Sequence, residues 1–64
     1  MVKINGVAVD LAGKNIDEML VIQGFSKGSV AVEKNEEIVP KSTYAETILK
    51  DGDVVEVVSF VGGG

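Results

Sequence analysis

The sequence predicts an α+β fold: one mixed sheet of about four to five strands with one crossing helix. Three features predict it. Alternating apolar runs flank Asn5-Gly6, a capped apolar stripe follows from Asn15, and the run from Val54 to Val61 is apolar enough to belong in a sheet interior. One sheet packed under one helix buries all of these faces around a single core.

Val2-Lys3-Ile4 and Val7-Ala8-Val9-Asp10-Leu11 alternate on either side of Asn5-Gly6. That pair suits a type I′ turn, which needs φ > 0 at both central residues. Val2, Ile4, Val7, Val9 and Leu11 are expected to face inward, and Lys3, Ala8 and Asp10 outward. Asn15 reads as a helix N-cap, with Asp17 and Glu18 in the first turn, where the helix dipole favours negative charge. Ile16, Met19 and Leu20 then form an apolar stripe, and Gly24 is the expected stop. A helix of about nine residues is too short to stand alone in water, so the stripe must pack on the sheet.

Gly24 to Ser29 reads as a loop and Val30-Ala31-Val32-Glu33 as a third strand. Lys34 to Glu37 is a polar turn, with Asn35 the favoured residue for positive φ. Ile38-Val39 is a short strand that Pro40 confines to an edge. Thr43 and Glu46 have capping-box spacing, which predicts a short helical turn. Asp51-Gly52-Asp53 turns the chain into the last strand, Val54 to Val61. The order β-β-α-β-β-(short helix)-β is the β-grasp layout. Residues 1–61 are expected to form this domain, and 62–64 a flexible glycine tail.

At 64 residues the chain is one small domain. A domain of this size buries only about 60% of the surface its unfolded chain exposes, so its stability margin is thin. It has no cysteine for a disulfide, a redox thiolate or a metal, and no histidine for proton transfer near neutral pH. A nucleophile–base pair of the usual kind is therefore excluded. The net charge is −4, and the six basic residues are scattered lysines. That balance disfavours nucleic acid, which needs clustered Lys and Arg, and favours a partner with a basic docking surface. No apolar run approaches the roughly 20 residues of a membrane helix, and the N-terminus does not resemble a signal peptide. A cytoplasmic chain, monomeric when free, is expected.

The sequence ends in Gly62-Gly63-Gly64. Glycine makes a narrow segment with unusual backbone freedom, suited to threading a tight site on another protein. From Val61 to Gly64 the extended chain reaches roughly 14 Å. The group it presents is the α-carboxylate of Gly64. A carboxylate is a poor acyl donor. Attack on the α-phosphate of ATP makes an acyl-adenylate, from which a sulfur nucleophile displaces AMP to leave a thiocarboxylate. The plainer reading of the tail is a frayed terminus or a cloning remnant.

Alternation along the last strand places Val55, Val57 and Ser59 on one side, and Val54, Glu56, Val58 and Phe60 on the other. With Val55 and Val57 under the helix, Val58 and Phe60 lie on the open face beside the tail. Glu56, Val58, Phe60 and Val61 are thus docking candidates, rimmed by charges such as Glu56 and Lys3. The bland alternative folds Phe60 over the edge of the core. Glu33, Glu36, Glu37, Asp51 and Asp53 lack the loop spacing of a calcium site and read as solvated turns. No resident cofactor or metal is expected. Gly24 and Gly28 lack the Lys-Ser/Thr ending of a phosphate loop, and Ser42, Thr43 and Tyr44 read as cap and packing residues.

Ile38-Val39-Pro40-Lys41, Tyr44-Ala45-Glu46-Thr47, Leu49-Lys50-Asp51-Gly52-Asp53 and the ending Val57 to Gly64 resemble the ThiS family, the sulfur carriers of thiamin biosynthesis. The likeness covers essentially the whole chain. The Gly-Gly end is shared with ubiquitin and the molybdopterin carrier MoaD, so the internal segments make the resemblance specific. It implies a β-grasp fold and adenylation of Gly64 by a ThiF-like enzyme that consumes ATP. It also implies sulfur supplied from cysteine through a desulfurase, and delivery to a ThiG-like thiazole synthase. Gly63 and Gly64 match the family's functional pair. Tyr44 stands where the family often has Trp, and Asn35-Glu36 where it often has Asn-Gly. The same end group would also serve a carrier for molybdopterin or tRNA thiolation, or a ubiquitin-like interaction or tagging module.

Overall fold

The computed structural model describes residues 1–60. The expected strand end at Val61, the glycine tail and the boundary between them lie outside the described residues.

β1 (Val2–Ile4) and β2 (Val7–Val9) form the opening antiparallel hairpin, with Val2 opposite Val9 and Ile4 opposite Val7. Asn5 has φ 50° and Gly6 φ 86°, the two left-handed residues that a type I′ turn demands. Val2, Ile4 and Leu11 are buried and Val9 packs partly against the core, whereas Val7 is 62% exposed. The expectation that Val7 enters the core is corrected here. Alternation sets its side, the same as Ile4, but Val7 lies at the turn end of the sheet's outermost strand, and a side chain there is not covered merely by facing the right way.

α1 (Ile16–Gln23) is eight residues long and buries Ile16, Met19 and Leu20, as the apolar spacing predicts. The Asn15 side-chain oxygen accepts a hydrogen bond from the Glu18 N–H at 2.8 Å, and the Glu18 carboxylate accepts one from the Asn15 N–H at 2.9 Å. These reciprocal bonds form a capping box. The short helical turn expected from the Thr43 and Glu46 spacing is also present, but without a capping box. There the chain is a 3-10 helix, Lys41–Glu46, with Pro40 at its N-cap position. The Thr43 N–H is already bonded to the Pro40 carbonyl, so it is not an orphan awaiting a side chain. At the other end of α1, Gly24 turns left-handed at φ 82° and stops the helix.

A short 3-10 turn, Lys27–Ser29, leads into β3 (Val30–Lys34). β4 (Glu37–Ile38) pairs with β3, and Val39 lies just beyond it, not inside it. Val39 is nevertheless buried, its N–H bonded to the Val32 carbonyl. β5 (Val54–Ser59) ends before Phe60, whose N–H bonds to the Ser29 carbonyl. The sheet order is β2-β1-β5-β3-β4, with β5 parallel to β1 and antiparallel to β3. The most apolar strand is therefore central, and the mixed sheet under one helix matches the expected β-grasp layout. Among the described residues the buried core joins Val2, Ile4, Val30, Val32, Val55 and Val57 of the sheet to the α1 stripe, with Tyr44 and Leu49 packed beside it.

Two turn residues have testable consequences. Asn35 and Glu36 both have positive φ, 52° and 71°. Asn tolerates this region, whereas for most other residues it costs roughly 1–2 kcal/mol. Glu36→Gly should therefore raise stability by about 0.5–1 kcal/mol after the added freedom of the unfolded chain is counted, or roughly 4 °C in Tm. A thermal melt checks this, and a lower Tm would contradict the strain.

Asp53 anchors the turn before β5. Its carboxylate accepts bonds from the Lys50 N–H at 2.9 Å and the Asn35 amide at 3.1 Å. Burial alone pushes its pKa up, but these bonds, helped by Lys34 and Lys50, bring it below the ordinary aspartate value. A lowered folded pKa contributes stability above the unfolded value, near pH 4, and that contribution is lost as pH falls through the folded value. Asp53→Asn should flatten the acid limb of a stability-versus-pH curve below about pH 4. An unchanged acid limb would show that Asp53 does not contribute to it.

Candidate functional site

The candidate site is the outer end of β5 and the open face of the sheet around it. Because β5 is central, it is tied on both sides, and two asparagines reinforce the ties. The Asn5 side-chain amide bonds both backbone groups of Val57, accepting from its N–H at 2.8 Å and donating to its carbonyl at 3.2 Å. Asn35 accepts from the Val54 N–H at 3.0 Å and donates to Asp53. Each asparagine is thus a turn residue that also extends β5's pairing. The strand that leads toward the C-terminus is held by more than its ladder.

The two faces of β5 are as alternation predicts. Val55 and Val57 are buried, at 0% and 6% exposure, while Val54, Glu56 and Val58 face solvent. Phe60 is 47% exposed, so it does not fold away into the core. The Lys41 ammonium lies 5.6 Å from the centre of its ring, within cation–π range. Of the named docking candidates, Glu56, Val58 and Phe60 thus lie exposed along one stretch of chain. Val61 and the tail residues Gly62, Gly63 and Gly64 lie outside the described residues.

The register keeps Lys3 on this face, as expected, and adds residues that alternation alone does not assign to it. Ala31 is opposite Val58, Glu33 opposite Glu56, Ile38 opposite Glu33, and Lys3 opposite Val54. Opposed residues share a face, so Ala31, Glu33 and Ile38 join the open surface, with Ile38 67% exposed. Only the pairing of distant strands carries that information. Alternation within β3 alone gives two sides without saying which is covered.

The chemistry of the described side chains is sparse. Burial raises the Tyr44 phenol above its ordinary pKa, with Lys27 opposing. The Lys27 ammonium is 5.4 Å from that ring and 3.1 Å from Asp17. Asp51 pairs with the N-terminal ammonium. These groups serve packing and turns. Among the described residues no three His, Cys, Asp or Glu side chains gather as a metal site, and no helix is long and apolar enough to cross a membrane.

Comparison with known proteins gives this surface a context. The model of the ThiS family matches residues 2–64. The sulfur carrier protein ThiS of Thermus thermophilus is 42% identical over 64 residues, covering 100% of both chains. The crystal structure of the thiamine biosynthesis protein ThiS from Geobacter metallireducens superposes with a TM-score of 0.79 at 36% identity, covering 98% of this chain and 97% of that one. A thiazole synthase of Paramagnetospirillum magneticum is 47% identical over 53 residues, which is 83% of this chain but 16% of that protein. The chain therefore spans about a sixth of the length of the thiazole synthases it matches. With the family model matching residues 2–64 and a ThiS crystal structure superposing over nearly the whole chain, the chain belongs to the ThiS family and has its β-grasp fold.

Proposed function

We propose that this chain carries sulfur for thiazole formation in thiamin biosynthesis, with the carbonyl carbon of Gly64 as its working atom. It acts as a co-substrate of partner enzymes and not as an enzyme itself. The observation that carries this reading is the family match, which runs through Gly64 on a fold whose central strand leads to that end.

The steps follow from the end group. A ThiF-like enzyme brings the Gly64 carboxylate to ATP. One carboxylate oxygen attacks the α-phosphate, pyrophosphate leaves, and the carbonyl carbon gains a good leaving group. A sulfur nucleophile then adds to that carbon and AMP departs. Sulfur arriving from cysteine as a desulfurase persulfide leaves an acyl disulfide, and a thiol must cleave its S–S bond to free the thiocarboxylate. Thiazole synthase is the acceptor. The thiazole synthases with stretches 42–47% identical to this chain support that assignment. ATP is consumed by the adenylating partner, and the chain itself needs no bound cofactor. Such chemistry belongs in the cytoplasm.

Docking uses the open face. Val58 and Phe60 supply apolar contact, Glu56 supplies charge, and Val61 begins the segment that enters the partner. Exposed apolar side chains rimmed by polar ones are the usual mark of an interaction surface. The test is intact mass. Incubation with the adenylating enzyme, ATP and a sulfur source should add about 16 Da, one oxygen replaced by sulfur.

A further inference from the structure

Glu33 and Glu56 lie directly opposite each other across β3 and β5 on the open sheet face. Directly opposed residues of an antiparallel pair have Cβ atoms about 4.5–5.5 Å apart, and like charges there destabilise the sheet. The ion pairs among the described residues are Met1 with Asp51 and Lys27 with Asp17, so neither glutamate is neutralised by one. Lys3, the basic residue paired with Val54, shares the face but makes no ion pair with Glu56. The two carboxylates are flanked by apolar side chains. Val58 follows Glu56 on the same face, Ala31 lies opposite Val58, and Ile38 lies opposite Glu33. The free domain thus holds an unfavourable pair amid surface that a partner would dry.

We propose that thiazole synthase docks on this face with an arginine guanidinium seated between Glu33 and Glu56, its apolar neighbours covering Val58 and Ile38. This deepens the reading above and rests on it for the identity of the partner. A guanidinium is planar and offers five N–H donors in a fixed fork, so it can bond two adjacent carboxylates at once, which the point charge of a lysine matches less well. The carrier's net charge of −4 favours approach by a basic surface. The pair also fixes the range of the site. Glu56 precedes Gly64 by eight residues, so the arginine lies within roughly 29 Å of the reacting carbon along the extended chain.

The test uses full-length carrier and thiazole synthase from the same organism, with dissociation rates and melting temperatures measured in parallel. The Glu33→Gln/Glu56→Gln double variant should dissociate about tenfold faster or more, as expected when one side of a desolvated charge pair is removed. It should melt at or above the wild-type temperature, because a repulsion has been relieved. Asp10→Asn, an exposed carboxylate after β2, should dissociate like wild type. The proposal is overturned if the double variant dissociates like wild type, if Asp10→Asn weakens the complex equally, or if the double variant melts lower. If wild-type carrier forms no complex with thiazole synthase, the partner assignment itself fails. That result is distinct from a wild-type complex that ignores the two glutamines.

Discussion

Removing Gly63 and Gly64 should abolish sulfur transfer and leave the domain folded. Every buried core residue among those described lies between Val2 and Val57, so the truncation takes away no described packing. Its effect on melting should stay within about 0.5 kcal/mol, the range of changes that touch no core or cap. On the proposed chemistry, thiazole formation should fall to the background of the assay, because the carbon assigned to carry sulfur is gone and the shortened chain ends roughly 7 Å short. Thiazole formation at the wild-type rate with the truncated chain would falsify the carrier reading, whereas loss of folding would show that the tail has a structural role.

The second large effect is on stability. Leu20 sits on the α1 stripe at 2% exposure, between the helix and the sheet. Leu20→Ala removes buried methyl groups and leaves a cavity, which typically costs about 3–5 kcal/mol. A domain of this length has only about 3–10 kcal/mol in total, with no disulfide in reserve. The variant should melt on the order of 15 °C lower or be largely unfolded at 37 °C. Calorimetry decides this, and a drop of only a few degrees would mean that α1 shifts to close the cavity. Sulfur delivery should fall in parallel with the folded fraction, unlike the tail deletion, in which the two separate.

Much of this molecule is legible from the chain because its signals are local. Asn5-Gly6 sets the first hairpin, Asn15 and Gly24 bracket the helix, and the helical spacing of Ile16, Met19 and Leu20 picks out the buried stripe. The apolar run of β5 marks the central strand, and its alternation separates Val55 and Val57 from Glu56 and Val58. What escaped the sequence depends on contacts between distant segments. Val7 faces the right way but lies at the end of an outer strand. The Thr43–Glu46 spacing matches a capping box, yet the N-cap position falls three residues earlier, at Pro40. The side-chain ties from Asn5 to Val57 and from Asn35 to Asp53 and Val54 need the register of β5. So does the meeting of Glu33 with Glu56. The proposed reactive end rests on a different kind of signal: the chemistry of a terminal carboxylate, argued from the residues alone and lying outside the described residues.

That end is where the account is most exposed to test. Wild-type chain incubated with its adenylating enzyme, ATP and a cysteine desulfurase with cysteine and a reducing thiol should be weighed intact and then fragmented. The expected result is a gain of about 16 Da confined to the fragment that ends at Gly64, dependent on ATP. An unchanged mass, or the same gain on a fragment lacking that residue, would contradict it.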